Sequence, residues 1–503
     1  MKNYYITTTL PYVNAEPHIG FALEIIQADV LARYHRLLGE KVIFNTGTDE
    51  HGLKIYRKAE EQGITPQNYC DQYAAKFEIL KSALNLSYTN FIRTTDSGHQ
   101  AAAQEFWRRC LANGDIYKKN YRVKYCVGCE LEKTDSELTD DHCPTHPTLE
   151  IELIEEENYF FRFSKYQSAL LKLYADRPDF VVPSNRLEEI KKFTERSLED
   201  FSVSRLKAKM PWGVAVPDDD AQVMYVWFDA LINYISTLGW PENQENFNAF
   251  WPAVQVAGKD NLRQQSAMWQ AMLLSANLPP SRQIFIHGFI TANGEKMSKS
   301  LGNVINPITL TEKYGVDATR YYLLGALLSS DDGDFTIEKF ENYYTAHLVN
   351  GVGNLTSRIL TMVEKYSGSA IPKKSASESD TPDIGKFWNS YSDALRVYDF
   401  NAAIALVNGL VSVLDARISA DKPWEKAKDG EDISPLLYLL AEGLRHIGLA
   451  LLPIIPATAE KILGQLGIDS DKIKDIKAEE QWGLLKTGTQ IKKGDILFPR
   501  LQK

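Results

Sequence analysis

The sequence predicts an α/β protein in which a doubly wound parallel sheet is interrupted by an insertion and followed by an all-α helical bundle. Up to about residue 117, strands alternate with helical segments, as in a Rossmann-like nucleotide-binding fold. This alternation of strands and helices breaks at about residue 118 and resumes at about residue 226. The last third of the chain is predicted to be helical almost throughout. The predicted regions are 1–117 and 226–334 for the two halves of the sheet domain, 118–225 for the insertion and 335–503 for the bundle.

The first strand and helix form a junction suited to phosphate. The apolar run from Tyr4 to Leu10 predicts a buried strand, and an amphipathic helix follows it, closed by Gly39. His18 and Gly20 stand at the start of this helix, where free N–H groups and the helix dipole favour polyphosphate. The alternative is a helix-capping histidine without a ligand.

The second half of the sheet domain carries a basic loop. We expect strands at 223–228, 254–258 and 284–286, and after a turn at Asn293-Gly294 comes the run Lys296-Met297-Ser298-Lys299-Ser300. Two lysines three positions apart on a small polar loop can reach triphosphate oxygens and release pyrophosphate when the loop opens. If the two lysines stood alone, a solvated basic loop would be the favoured interpretation.

Two cysteine pairs in the insertion predict a structural zinc site. Cys126 and Cys129 are followed by Cys143 and His146, and such a doubled pair supplies four tetrahedral ligands with no open position. His142 is a rival fourth ligand, and buried reduced cysteines are the alternative to a metal. Cys70 and Cys110 fall on predicted helices and are expected in the core.

Composition limits the class of protein. The 503 residues are 44% hydrophobic, enough for two to four domains, and neither a signal peptide nor an apolar stretch of about 20 residues is evident. We therefore expect a cytoplasmic protein. The net charge of −10 argues against nonspecific nucleic-acid binding but not against a local RNA site, because residues 351–503 carry 20 basic and 20 acidic side chains.

Together with the segments 7–14 and 47–52, the two phosphate motifs resemble those of class I aminoacyl-tRNA synthetases, and among these the methionyl-tRNA synthetase family. The resemblance implies activation of methionine by ATP with Mg²⁺, forming methionyl-adenylate, and transfer of methionine to tRNA(Met). Synthetases for leucine, isoleucine and valine carry a long editing insertion that does not fit this length. A cysteine enzyme would place zinc ligands in its substrate pocket.

The resemblance also implies the roles of individual residues. His18, Lys296 and Lys299 would be catalytic. Gly20, Lys296, Ser298 and Lys299 would bind ATP. The implied methionine site comprises Leu10, Tyr12, Asp49, Arg205, Trp227, Ala230, Tyr234 and His287. From the residues alone, Asp49 could be a turn residue, Trp227 a core residue and Arg205 part of a surface salt bridge. Asp260 is expected at the start of the next helix.

The helical region is expected to read the anticodon. Asn354 and Arg358 lie one turn apart on a predicted helix, and Trp424 follows a second helix; amide, guanidinium and indole groups suit unstacked RNA bases. The segment 367–385 is a predicted linker. Without the resemblance, Arg358 would be a solvated charge and Trp424 a packing residue. A monomer is expected, because the appended domain that dimerises some relatives is not evident.

Four positions depart from the family pattern. Phe21 stands where a second histidine is usual and cannot donate to a phosphate oxygen. Gln265 also replaces an expected histidine, and Asp415 and Arg417 replace an expected asparagine and aromatic residue. These departures leave open an alternative function, a catalytically impaired paralogue that binds tRNA or methionine.

Overall fold

The structure is a computed structural model that describes residues 2–14, 16–129, 131–133, 135–297, 303–374 and 381–501. Its first part confirms the predicted alternation of strands and helices. The elements are β1 Asn3–Thr8, α1 Ile19–Leu37, β2 Lys41–Thr48, α2 Leu53–Glu61, α3 Pro66–Glu78, α4 Leu80–Ala83, β3 Asn90–Arg93 and α5 Ser97–Ala112. Helix α1 stops where predicted, because Gly39 takes a φ of 75° just beyond its end.

The second part is built around a long antiparallel pair. The elements are β4 Ile116–Cys126, β5 Leu131–Lys133, β6 Glu152–Phe161, α6 Gln167–Asp176, β7 Val181–Val182, α7 Ser184–Glu195, β8 Phe201–Ser202, β9 Ser204–Leu206, β10 Ala215–Val216 and β11 Asp219–Met224. Strands β4 and β6 pair from Ile116 opposite Phe161 to Tyr125 opposite Glu152. This ribbon carries the first cysteine pair at its far end.

The third part returns to the main sheet. The elements are α8 Val226–Leu231, α9 Asn233–Ser236, α10 Gln244–Phe250, β12 Val254–Gly258, α11 Trp269–Ser275, β13 Gln283–His287, β14 Ile290–Ala292, β15 Glu295–Lys296, α12 Pro307–Tyr314, α13 Val316–Gly325 and β16 Gly333–Phe335. The predicted strand at 223–228 is wrong: β11 ends at Met224 in a small antiparallel sheet, and α8 follows. A short apolar run suits a strand and a buried helix equally, so periodicity could not separate them.

The last part is a helical bundle. Its helices are α14 Ile337–Tyr343, α15 Asn354–Ser367, α16 Ile384–Arg396, α17 Phe400–Asp421, α18 Pro423–Lys428, α19 Ser434–Leu451, α20 Pro456–Gln465 and α21 Ile476–Glu479. Helix α17 is apolar enough to match a membrane span by composition, but it packs against α13, α16 and α19 within the bundle. Beyond Gln465 the described chain is mostly irregular, so the helical prediction was too broad there.

The main sheet has the order β3-β2-β1-β12-β13-β7, and all its strand pairs are parallel. Strand β1 is buried on both faces: Tyr4 and Ile6 enter the core shared with α1 and the bundle, whereas Tyr5 enters the core with α5 and α11. The strand order reverses direction between β1 and β12, so a crevice opens at their carboxyl ends. Because β7 belongs to this sheet, part of the predicted insertion packs with the main domain, and the domain boundaries remain a prediction.

Candidate active site

A cavity of about 530 Å³ lies at the carboxyl ends of β1, β2, β12 and β13. The structure brings most of the predicted site residues to its walls. The lining includes Leu10, Tyr12, His18, Gly20, Asp49, Trp227, Ala230, Tyr234, Asp260 and His287. These residues come from five separate stretches of sequence, and the topology of the sheet places them around one space.

His18 is the N-cap of α1. Its Nδ1 accepts a hydrogen bond from the Gly20 N–H at 3.1 Å, so a neutral imidazole carries its proton on Nε2. The ring is exposed to the cavity, yet the surrounding protein desolvates it and lowers its pKa below the usual 6.5. His18 therefore caps the helix through Nδ1, as the alternative interpretation expected, while Nε2 can still donate a hydrogen bond.

The hairpin β14–β15 leads into the basic loop. Asn293 and Gly294 both have positive φ angles, 56° and 78°, as a tight two-residue turn requires. The Asp334 carboxylate accepts from the Gly294 N–H at 2.6 Å and fixes this turn against β16. Met297 lines the cavity, so the loop starts at the site. The backbone of Lys296 ends β15, but its side chain is outside the described part of the structure, as are Ser298 and Lys299.

Asp49 follows β2 and is held beside Tyr12. The Asp49 N–H donates to the Pro11 carbonyl at 3.0 Å, and the Val13 N–H donates to the Asp49 carbonyl at 3.1 Å. The side chain is 8% exposed. These backbone bonds join the loop after β1 to the end of β2 and place a carboxylate and a phenol on the same cavity wall.

Trp227, Ala230 and Tyr234 reach the cavity from α8 and α9. The Tyr234 hydroxyl accepts from Gln265 Nε2 at 2.6 Å, and Gln265 Oε1 accepts from Gln255 Nε2 at 3.0 Å. Burial raises the pKa of Tyr234, so its hydroxyl stays protonated at neutral pH. Gln265 thus holds a position in the cavity wall, although the sequence placed it only as a departure from the family pattern.

Glu24 is a cavity residue that sequence reasoning missed. Its carboxylate accepts from the Thr9 N–H at 2.8 Å and the Thr9 hydroxyl at 2.6 Å, and it lies 3.0 Å from His287 Nε2. Burial alone would lower the pKa of His287, but the hydrogen bond and charge of Glu24 outweigh it and raise that pKa. The available signal was an acidic residue on the buried face of α1.

Arg205 does not lie among the described residues that line the cavity. It is 4% exposed, donates to Ser202 Oγ at 2.6 Å and to the Ser204 carbonyl at 2.8 Å, and stacks 4.2 Å from the Tyr225 ring. Arg205 is therefore buried and does not lie at the surface, where the alternative of a surface salt bridge would place it. Arg205 packs under the residue that precedes α8.

Phe21 does line the cavity, one residue beyond Gly20. Its ring packs edge-on against Phe77 at a centroid distance of 5.5 Å. The departure from the family pattern therefore replaces a hydrogen-bond donor with an apolar wall near the start of α1.

The four predicted metal ligands converge. One ligand atom from each of Cys126, Cys129, Cys143 and His146 lies within 4.8 Å of the others, and Cys129 Sγ is 3.4 Å from Cys143 Sγ and 3.2 Å from His146 Nδ1. Such separations suit a tetrahedron with bonds of about 2.0–2.3 Å. His142 is exposed, bonds to the Asp140 carbonyl and stands outside the cluster.

The metal cluster borders the cavity. Gly128 and Cys129 belong to its lining, and Lys54 Nζ donates to the Gly128 carbonyl at 3.2 Å. A Cβ at Gly128 would come within 2.5 Å of the His146 ring, so only glycine fits there. Cys70 and Cys110 are buried in the core, as predicted.

The predicted anticodon residues lie in the bundle. Asn354 and Arg358 share α15, with Asn354 exposed, and Trp424 on α18 is 43% exposed. The exposure of Trp424 contradicts the packing alternative. Arg358 is not a free solvated charge, because it forms an ion pair with Asp415 of α17.

Comparison with known proteins gives one consistent result. The model of the family "tRNA synthetases class I (M)" matches residues 4–150 and 146–360. A methionine–tRNA ligase of Thermosynechococcus vestitus is 41% identical, over 99% of this chain and 98% of that protein. A second, of Thermotoga maritima, is 40% identical over 99% of this chain and 80% of that protein.

A solved structure agrees with these sequence relatives. Methionyl-tRNA synthetase of Mycobacterium tuberculosis in complex with methionyl-adenylate superposes with a TM-score of 0.92 at 36% identity, covering 99% of this chain and all of that one. The similarity includes the sheet domain, the insertion and the bundle. The chain therefore belongs to the methionyl-tRNA synthetases, the methionine–tRNA ligases of class I.

Proposed function

We propose that the cavity activates methionine with ATP to methionyl-adenylate and pyrophosphate, and that the methionyl group then passes from the adenylate to the 3′ end of tRNA(Met), with release of AMP. The observation that carries the proposal is the convergence of His18, Asp49 and Trp227 on one cavity that the basic loop enters at Met297. Phosphate, ammonium and thioether are the three chemical groups such a site must hold.

The phosphate end supports in-line displacement at the α-phosphorus. A methionine carboxylate oxygen attacks, pyrophosphate leaves, and no protein nucleophile is needed. In the proposed role, His18 donates from Nε2 to a phosphate oxygen while its Nδ1 remains occupied by Gly20. Lys296 and Lys299 are proposed to neutralise the leaving pyrophosphate with Mg²⁺, and Gly20 and Ser298 to bind ATP.

The amino-acid end supports recognition of a thioether. Asp49 is proposed to accept from the methionine ammonium, with Leu10, Tyr12, Trp227 and Ala230 enclosing the side chain. Gln265 donates to the Tyr234 hydroxyl oxygen, so the hydroxyl proton does not point at Gln265. We propose that Tyr234 donates this proton to a weak acceptor such as the methionine sulfur. His287 is paired with Glu24, which accepts hydrogen bonds from Thr9. Through Glu24, His287 is proposed to hold the loop at Thr9 and the adjacent cavity wall at Leu10 in position. Arg205, which stacks on the Tyr225 ring, is proposed to support the cavity wall that α8 forms.

Zinc would be held by Cys126, Cys129, Cys143 and His146, and it would supply structural cross-linking without an open coordination position. The cluster then fixes the insertion beside the cavity mouth through Gly128 and Lys54. In the bundle, Asn354, Arg358 and Trp424 are proposed to contact the anticodon by hydrogen bonds and stacking. We further propose a cytoplasmic monomer.

Methionine-dependent exchange of pyrophosphate into ATP, followed by charging of tRNA(Met), tests the proposal. We expect exchange with methionine and at least 100-fold less with leucine at equal concentration, because leucine offers no sulfur acceptor. A folded protein without exchange at saturating methionine would instead support the impaired paralogue that Phe21 motivates.

A further inference from the structure

Outside the cavity, one buried carboxylate is shared by two histidines. His51 Nδ1 lies 2.5 Å from Asp229 Oδ2, and His99 Nε2 lies 2.9 Å from Asp229 Oδ1. Asp229 and His99 are 1% exposed or less, and His51 is 3% exposed. We call His51, Asp229 and His99 the histidine–aspartate cluster. None of the three appears in the cavity lining, and neither the phosphate step nor methionine contact uses them.

The cluster joins three elements that are far apart in sequence. Asp229 lies on α8, between Trp227 and Ala230, and on this helix it faces away from the cavity that those two residues line. His51 lies two residues after Asp49, and His99 lies in the first turn of α5. The cluster therefore links the wall that carries Trp227 to the wall that carries Asp49.

The neighbours of the cluster leave it little freedom. The Trp212 ring packs edge-on against His51, and its Nε1 donates to the Glu50 carbonyl at 2.6 Å. The Glu50 carboxylate is held by Arg93 at 2.6 Å. On the other side, His99 Nδ1 bonds to Ser236 Oγ at 2.9 Å. Asp49, Glu50 and His51 are thus each held by contacts to a different part of the chain.

The charge balance of the cluster is favourable. Burial would raise the pKa of Asp229, but the two imidazoles donate to both oxygens and lower that pKa to about 2. The carboxylate therefore stays ionised at any pH at which the enzyme is assayed. In Asp229→Asn the amide oxygen can accept from only one imidazole, so the other buried ring N–H would face the amide nitrogen and lose its acceptor.

We infer that the histidine–aspartate cluster is a positioning device for the methionine site, which sets the separation between the Asp49 wall and the Trp227 wall. His51, His99 and Asp229 act through Asp49 and Trp227 and do not touch substrate. The inference rests on the proposed function, since it concerns methionine binding in that cavity. The phosphate end, built from α1 and the basic loop, has no contact with the cluster among the described residues.

The test compares KM for methionine with KM for ATP in the exchange assay. We expect Asp229→Asn to raise KM for methionine by about 10-fold or more, since small displacements of binding groups are costly, while KM for ATP stays within about twofold. A general loss of stability would lower the melting temperature without separating the two KM values.

The two histidines offer matched pairs of variants. An asparagine amide can take the place of Nδ1 and a glutamine amide that of Nε2. We therefore expect His51→Asn and His99→Gln to keep KM for methionine near that of the wild type, and His51→Gln and His99→Asn to raise it. These pairs decide the question if Asp229→Asn does not fold.

His446→Gln is the control for losing a buried histidine. His446 is fully buried in α19, accepts from Trp388 Nε1 at 3.0 Å and lies in the bundle. We expect it to lower the melting temperature and leave both KM values unchanged. An unchanged KM for methionine in the cluster variants, or an equal rise in His446→Gln, would overturn the inference. An inactive wild type would overturn the proposed function instead.

Discussion

The two ends of the cavity are built differently. At the amino-acid end, Asp49, Tyr234 and His287 are each 8% exposed or less and are held by further partners. At the phosphate end, the described groups are the start of α1 and the exposed His18, and the chain continues into the basic loop at Met297. A site that must keep methionyl-adenylate and release pyrophosphate needs one rigid end and one that opens.

We predict the greatest loss of activity for a substitution at the rigid end. Asp49→Asn removes a buried negative charge opposite the proposed ammonium, which costs about 4 kcal/mol for a buried charged pair, so kcat/KM for methionine should fall about 1,000-fold. Asp393→Asn, an exposed carboxylate in the bundle, is the control and should change nothing in the exchange assay. A loss below 10-fold for Asp49→Asn would show that the rigid end does not bind the ammonium.

At the phosphate end, His18→Ala should lower kcat about 100-fold, because one donor to developing charge is lost. His18→Asn separates the two functions of this residue. Its amide oxygen can still accept from the Gly20 N–H, so the helix cap survives, whereas the Nε2 donor is lost. We expect an equal fall in kcat for both variants and a lower melting temperature for alanine alone. Normal turnover by His18→Asn would assign His18 to capping only.

Phe21→His should have the opposite effect to the His18 variants and raise kcat. The ring of Phe21 lines the cavity beside Gly20, so an imidazole there would add a donor near the phosphates. We expect kcat to rise by up to about 10-fold with little change in KM for methionine. Single-turnover measurement of adenylate formation separates this step from product release. Equal rates would mean that another group already replaces the donor.

A weaker effect is predicted for the pH dependence of stability. The fold raises the pKa of His287 through Glu24, so its contribution is complete below the unfolded value of about 6.5 and is lost as pH rises through the folded value. The melting temperature of the wild type should therefore exceed that of His287→Gln by a few degrees at about pH 6, and by less at about pH 9. Thermal unfolding at both pH values measures this, and a growing advantage at high pH would contradict it.

Much of the site followed from local pattern. Short-range spacing predicted the junction at His18, the turn at Asn293-Gly294 and the four metal ligands. In the structure His18 caps α1, the two turn residues have positive φ angles and the four ligands converge. Glu24 and the histidine–aspartate cluster had no such spacing. Their partners lie up to 263 residues away in the chain, so no local pattern could indicate them.

The fold class, the family and the four candidate metal ligands could be inferred from the amino-acid sequence, because hydrophobic periodicity, turn residues and ligand spacing act over a few residues. The folded structure was needed to show that 226–231 is a helix, that Arg205 is buried against Tyr225 and that β7 joins the main sheet. These outcomes depend on which apolar faces pack together and which buried charges find partners. Such choices are made between distant segments, where burial and pairing outweigh local preference.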